Sequence, residues 1–383
     1  MNLPLAAAIR PIWGLFFLNG LLFASWAVQI PAVQERYALN PAQLSGLLFA
    51  LVVGNVLALP PATALMRRFG VRATALLSLT VMAVGLASLP LAPSLPVAVL
   101  AALVYGAGFS GVDLSMNALG TWLEERLERP VMSGFHAAFS IGALLGALVG
   151  ALLLGRGVTL PVHLIAASAL TLVCGAWLTL RLPSYLTRQE PSTARSRPGT
   201  LLLLLLAAGF GAALCEGAVG DWAAVYVRGV MDVTPDIASR GFVIFALSMV
   251  VGRLAGDRLA ARFGRGPLAS AAALVGSVGF LIVSLSGSVQ SVLPGFLLVG
   301  LGLSVLAPLG FSAAWQLGQA RGVALMTAVF YGGFLAGPPL VGLGVHLLGL
   351  QAAFTLPLIL TVLCLILSAG FRVYAERPAG EAA

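Results

Sequence analysis

The chain has 383 residues, of which 60% are hydrophobic and only 9% charged, with a formal net charge of +8. A soluble domain carries about 25% charged residues, and a soluble fold of this length cannot hide so much apolar surface, so lipid is the solvent. All the basic residues are arginine and punctuate apolar runs without forming a basic face, which excludes nucleic acid as a partner.

Twelve apolar stretches follow in chain order: 11–33, 42–66, 72–91, 97–122, 131–154, 160–181, 200–227, 241–261, 267–288, 291–315, 322–346 and 350–372. Each approaches or exceeds the roughly 20 residues that a helix needs to cross the hydrocarbon core. The first is too long for the apolar segment of a signal peptide and reads as a membrane span. Backbone groups in lipid must be satisfied within each segment, so the spans are helices. The breaks carry proline, glycine or charge, as in Gly264-Arg265-Gly266-Pro267. Cys174, Cys215 and Cys364 all fall inside apolar runs, without the spacing of a metal or disulfide framework. They read as small buried hydrophobes.

Arginine placement orients the chain. With the N-terminus inside, only Arg36, Arg156, Arg228 and Arg240 fall outside and the other seventeen fall inside. That is the positive-inside bias of a cytoplasmic-membrane protein with both termini cytoplasmic. The one long polar linker, 183–199, divides the chain into an N-terminal half, 1–182, and a C-terminal half, 200–383. The halves echo each other. Arg68-Phe69-Gly70 recurs 194 residues later as Arg262-Phe263-Gly264, and Trp26 recurs 196 residues later as Trp222. The expectation is an all-α membrane protein of twelve transmembrane helices in two pseudo-symmetric six-helix halves. Such repeats place a solute site near the bilayer midplane.

The run Gly252-Arg253-Leu254-Ala255-Gly256-Asp257-Arg258, followed by Arg262-Phe263-Gly264-Arg265, resembles the signature loop of the major facilitator superfamily. A finer set is similar to the YbjJ-like bacterial branch, near the fucose permease-like sugar–proton symporters. It comprises Asp113-x-x-Met116-Asn117, Met132-x-x-x-His136-x-x-Phe139-Ser140-x-Gly142, Glu216-Gly217-x-x-x-Asp221-Trp222 and Gly337-Pro338-Pro339. The resemblance implies secondary active transport of a small polar solute, with a proton as coupling ion. It also implies that Asp257, Arg258 and Arg253 hold an inner gate. The first-half loop departs from the pattern, with Thr63 at the place of Asp257. Span one has no acidic residue, and Asn19 is its nearest polar candidate. Ala102 stands where proton-coupled members often carry arginine.

The strongest site candidates are carboxylates that interrupt apolar runs. Asp113, Glu216 and Asp221 are costly at bilayer depth, and such groups are functional-site hypotheses by default. Asp113 and Asn117 are i, i+4 and share a helix face. His136 enters span five from the same side, so an Asp–Asn–His cluster that binds a proton or substrate is one reading. A neutral interhelical hydrogen-bond clamp is the other. Glu216, mid-span, is the better candidate for a central cavity. Asp221 lies about 140° round the helix and nearer the outside, where pairing with Arg36, Arg228 or a backbone amide would give it a gating role. Trp222 and Tyr226 are i, i+4 and could form an aromatic wall, or Tyr226 could belong to an interfacial belt. Asn19, Trp26, Trp315, Gln316 and Tyr331 are further candidates to line a cavity, with helix packing as the competing role for each. His163 and His346 lie near span ends without evident partners.

No phosphate-binding loop, nucleophile or metal constellation is present in the sequence. The expectation is a monomeric transporter without cofactor and without enzymatic activity, its partners a small-molecule substrate, a proton and membrane lipid. Efflux of hydrophobic or cationic compounds competes with it, because acids lacking partner cations would favour cations. A non-transporting sensor on the same fold is a third reading.

Overall fold

The computed structural model describes residues 5–127, 132–182 and 199–375. These are helical throughout apart from short turns, with no strand among the described residues. The helices are α1 (Leu5–Ala27), α2 (Ile30–Arg36), α3 (Pro41–Ser88), α4 (Leu95–Leu127), α5 (Met132–Gly155), α6 (Leu160–Thr179) and α7 (Thr200–Met231). They continue with α8 (Pro235–Phe263), α9 (Arg265–Leu285), α10 (Val289–Ser304), α11 (Leu306–Leu348), α12 (Leu350–Ala353) and α13 (Thr355–Ala375).

Among the described residues eleven stretches are long and apolar enough to cross a membrane, and one of them, Pro41–Leu91, has 51 residues. At 1.5 Å per residue that is roughly 75 Å, more than twice the hydrocarbon thickness. The run turns at Gly70, whose φ of 84° and ψ of 166° are not helical. A side chain is strained at such an angle, and glycine is not. The 51-residue stretch therefore makes two crossings, and the chain makes twelve.

Where the sequence suggests loops at 67–71 and 316–321, helical backbone runs through, broken at Gly70 in the first case. Short turns rich in arginine and glycine leave no room for a longer loop, and helical hydrogen bonds satisfy the backbone most economically. On the side opposite the Gly70 turn, Asn40 caps α3. Its side chain accepts from the Gln43 backbone N–H at 2.9 Å, and the Gln43 side chain accepts from the Asn40 N–H at 3.0 Å. That reciprocal pair satisfies two of the helix's orphan donors. Nearby, the Tyr37 hydroxyl donates to the carbonyls of Leu89 (2.6 Å) and Ala92 (3.1 Å), tying the connection before α3 to the one after it.

The chain forms two compact units, residues 1–190 with 234–239, and 191–233 with 240–383. The expected linker 183–199 lies outside the described residues except for Gly199, which precedes α7. In the first unit α1 packs on α5, α3 on α4, and both α1 and α3 meet α6. In the second, α7 packs on α11, α9 on α10, and both α7 and α9 meet α13. The same pairing of crossings thus occurs within each unit. Glycines set the closest approaches. In the first unit Gly20 faces the Phe139 carbonyl while Gly142 and Gly146 face those of Phe17 and Leu21. In the second, Gly333 faces the Phe210 carbonyl. Small residues at such contacts let backbones touch where no hydrophobic driving force separates protein from lipid.

Candidate functional site

Helix α7 concentrates the polar chemistry of the second unit. From Gly211 to Val227 every residue is buried except Glu216 and Asp221, which are both partly exposed. A 17-residue helical stretch that opens to its surroundings only at its two acids has its polar exposure placed for use. Five residues apart, the two acids project about 140° from one another, yet both reach accessible surface.

Glu216 is paired. The Arg253 guanidinium, on α8, donates from Nη2 to Glu216 Oε1 at 3.0 Å, with side-chain exposures of 17% and 19%. Of the residues expected at an inner gate, Arg253 thus also reaches the mid-span carboxylate of α7. Charge complementarity was the only sequence signal for this pair, since residues 37 positions apart on different helices share no spacing rule. Arg258 is exposed, and the Asp257 side chain lies outside the described residues.

Within its own unit Asp221 makes no hydrogen bond or ion pair among the described residues. Trp222 and Tyr226 do not form an aromatic wall, because both are fully buried. The Tyr226 hydroxyl donates to the Val283 carbonyl at 2.6 Å, and its ring lies 4.3 Å from that of Phe354. A tyrosine held in this way between α9 and the junction of α12 with α13 is packed inside its unit.

In the first unit, α1 gathers the candidate residues. The Asn19 amide donates to the Met116 sulfur at 3.6 Å, and Asn117, next in sequence to Met116, donates to the Asp113 backbone carbonyl at 2.9 Å. One turn earlier on α1, Phe16 meets the edge of the exposed His136 ring at 5.3 Å and stacks on Phe135 at 5.5 Å. A single turn of α1 therefore contacts both the Asp113–Asn117 motif of α4 and the His136 motif of α5. Asp113 and Asn117 are each partly exposed.

Other candidates separate by burial. Trp26 is 1% exposed, 6.2 Å from the Tyr105 ring, and Trp222 is 0% exposed. Neither indole N–H has an acceptor among the described residues. Gln316 is exposed, Tyr331 is partly buried, and the Trp315 side chain lies outside the described residues. His163 does have a partner, which the sequence did not reveal. Its Nδ1 lies 2.6 Å from Gln29 Nε2, in a buried contact between residues 134 positions apart. The thiols of Cys215 and Cys364 point at the carbonyls of Pro357 and Ala208 at 3.5 and 3.3 Å, as small core side chains do. Among the described residues no group of histidine, cysteine and acidic side chains could hold a metal ion.

Twelve apolar crossings in two units of matching internal packing, each with at least one carboxylate inside a crossing, define a multi-pass membrane protein of the transporter class. The chain belongs to the Major Facilitator Superfamily, whose sequence profile matches residues 12–318. It is 33% identical over 346 residues to an uncharacterized MFS-type transporter of Yersinia pestis, covering 88% of this chain and 89% of that protein. Among solved structures, the nucleoside transporter NupG shares the fold with a TM-score of 0.71 at 14% identity, covering 99% of this chain and 100% of that one. The MFS transporter FucP in its outward conformation does so with a TM-score of 0.66 at 17% identity, covering 98% and 99%.

Proposed function

We propose that the protein is a secondary active transporter that moves a small, neutral, polar solute across the cytoplasmic membrane by alternating access, coupled to protons. One observation carries the reading, the Glu216–Arg253 pair inside a membrane crossing, with both side chains partly exposed. A carboxylate and a guanidinium side by side present acceptors and donors together, with their charges mutually cancelled. Such a pair suits hydroxyl and amide groups and gives no net attraction to an ion. The Asp113–Asn117 motif, braced through Met116 by Asn19, supplies a second polar surface in the first unit. NupG and the fold it shares lend support for a solute rich in such groups, and the seventeen-to-four distribution of arginines supports cytoplasmic termini.

The test is flux into proteoliposomes holding the full-length protein, with a panel of sugars, polyols and nucleosides. At least one solute should accumulate under an inward proton gradient, and a protonophore should abolish the accumulation. Glu216→Gln should lower that uptake by at least about tenfold, the worth of one charge-assisted hydrogen bond. Proton-driven export of lipophilic cations, with no uptake from the panel, would replace this reading with efflux.

A further inference from the structure

We propose that Asp221, rather than Glu216, is the carboxylate of the second unit that takes up and releases a proton during transport. The inference rests on the transport reading above and concerns only which α7 acid carries the proton. Glu216 is neutralised where it sits, with its Oε1 3.0 Å from the Arg253 guanidinium. Protonating it would break a charge-assisted bond and strand the arginine's charge inside a crossing, which is expensive. Asp221 carries no such penalty.

The groups around Asp221 leave its charge uncompensated. On α7 the charged neighbours are Glu216, engaged by Arg253, and Arg228, two turns on. The helices packed against α7 are α10, α11, α12 and α13, together with α8 through the ion pair. Neither α10 nor α12 has a charged residue. Helix α11 contributes Tyr331, His346 and Arg321, α13 contributes Arg372 and Tyr374, and α8 contributes Asp236, Arg240, Arg253, Asp257, Arg258 and Arg262. The side chains of Arg321, Arg372, Tyr374 and Asp257 lie outside the described residues, and none of the others forms an ion pair or hydrogen bond with Asp221. The titratable Cys215, Tyr226 and Cys364 are turned to backbone carbonyls.

A carboxylate at this depth without a cation is stable when it is neutral or when water reaches it. Asp221 is partly exposed while the residues on either side of it are buried, so its carboxyl is the group of this segment at which a proton can enter or leave. Uptake forms one O–H bond and discharges the carboxylate, and release to water restores the charge. The cycle needs no other reactant.

Dicyclohexylcarbodiimide, which attacks protonated carboxyls in apolar surroundings, tests this on the purified full-length protein, with peptide mass spectrometry locating the adduct. Asp221 should be modified, with labelling that declines at least about tenfold as the medium is made alkaline, as titration of a single proton requires. Glu216 should stay unmodified in the native protein and become modified in Arg253→Gln. Modification of Glu216 in the native protein with Asp221 untouched overturns the proposal, as does labelling of Asp221 that ignores pH. The labelling needs no transported solute. A protein that carries solute but labels at Glu216 overturns only this assignment, whereas one that labels as stated but carries nothing overturns the transport reading.

Discussion

Arg253 and Glu216 show how a charged pair can be tolerated inside a membrane and still matter. Each side chain keeps under one-fifth of its exposure, so most of the water that would solvate the charges has been removed. Taking away one partner leaves the other charged and poorly solvated. Arg253→Gln should therefore lower stability by about 3 kcal/mol, the low end of what breaking a buried pair costs, because some exposure remains. The double variant Glu216→Gln with Arg253→Gln should regain most of that loss, as read from the thermal unfolding midpoint in detergent. Tyr226→Phe should cost about 1 kcal/mol, since the Val283 carbonyl loses a short buried hydrogen bond. At this scale the sequence was informative about identity and poor about pairing. An acid within an apolar run stands out, and all three acids were visible for that reason. The partner of Glu216 and the partner of His163 lie 37 and 134 residues away, on other helices. Only the packed fold brings such groups together. Arg253 was visible as part of a signature run, yet nothing in that run pointed to Glu216 as its partner.

Helices were far more legible than contacts. An apolar run of about 20 residues has one stable form in lipid, so all twelve crossings could be read from composition. Their junctions could not be read so well, since a turn closed by one glycine keeps nearly all of its helical hydrogen bonds and leaves little loop-like sequence. The approach of one helix to another was partly legible. Gly142 and Gly146 are spaced four apart, the pattern of a small-residue face, and in the structure they meet the carbonyls of Phe17 and Leu21 on α1. Gly142→Val should force α1 and α5 apart and destabilise the protein by about 1–3 kcal/mol. Gly134, on the same helix, has nothing within 4 Å of where a Cβ would stand. Gly134→Ala should therefore be neutral or slightly stabilising, since alanine favours the helix. Parallel thermal melts of the two variants check both outcomes.

For the whole molecule, the arginine distribution predicts the side of the membrane on which the connection between the units lies. A cysteine placed by Gln189→Cys, in a chain whose three native cysteines are replaced by serine, should react with an impermeant maleimide only in inside-out vesicles. Reaction in right-side-out cells would invert the topology. Arg68-Phe69-Gly70 and Arg262-Phe263-Gly264 end in glycines with the same φ of 84°, and in both the guanidinium lies over the adjacent phenylalanine, at 5.1 and 5.3 Å. A turn repeated to this level of detail 194 residues apart makes the two units internal repeats of one plan. The repeat does not extend to the acids within the crossings. At the spacing that aligns Trp26 with Trp222, Glu216 falls opposite Gly20, Asp221 opposite Ser25, and Asp113 opposite Leu309. The two halves share a backbone plan but carry their acids at different places, so neither half could stand in for the other in a tandem of identical copies.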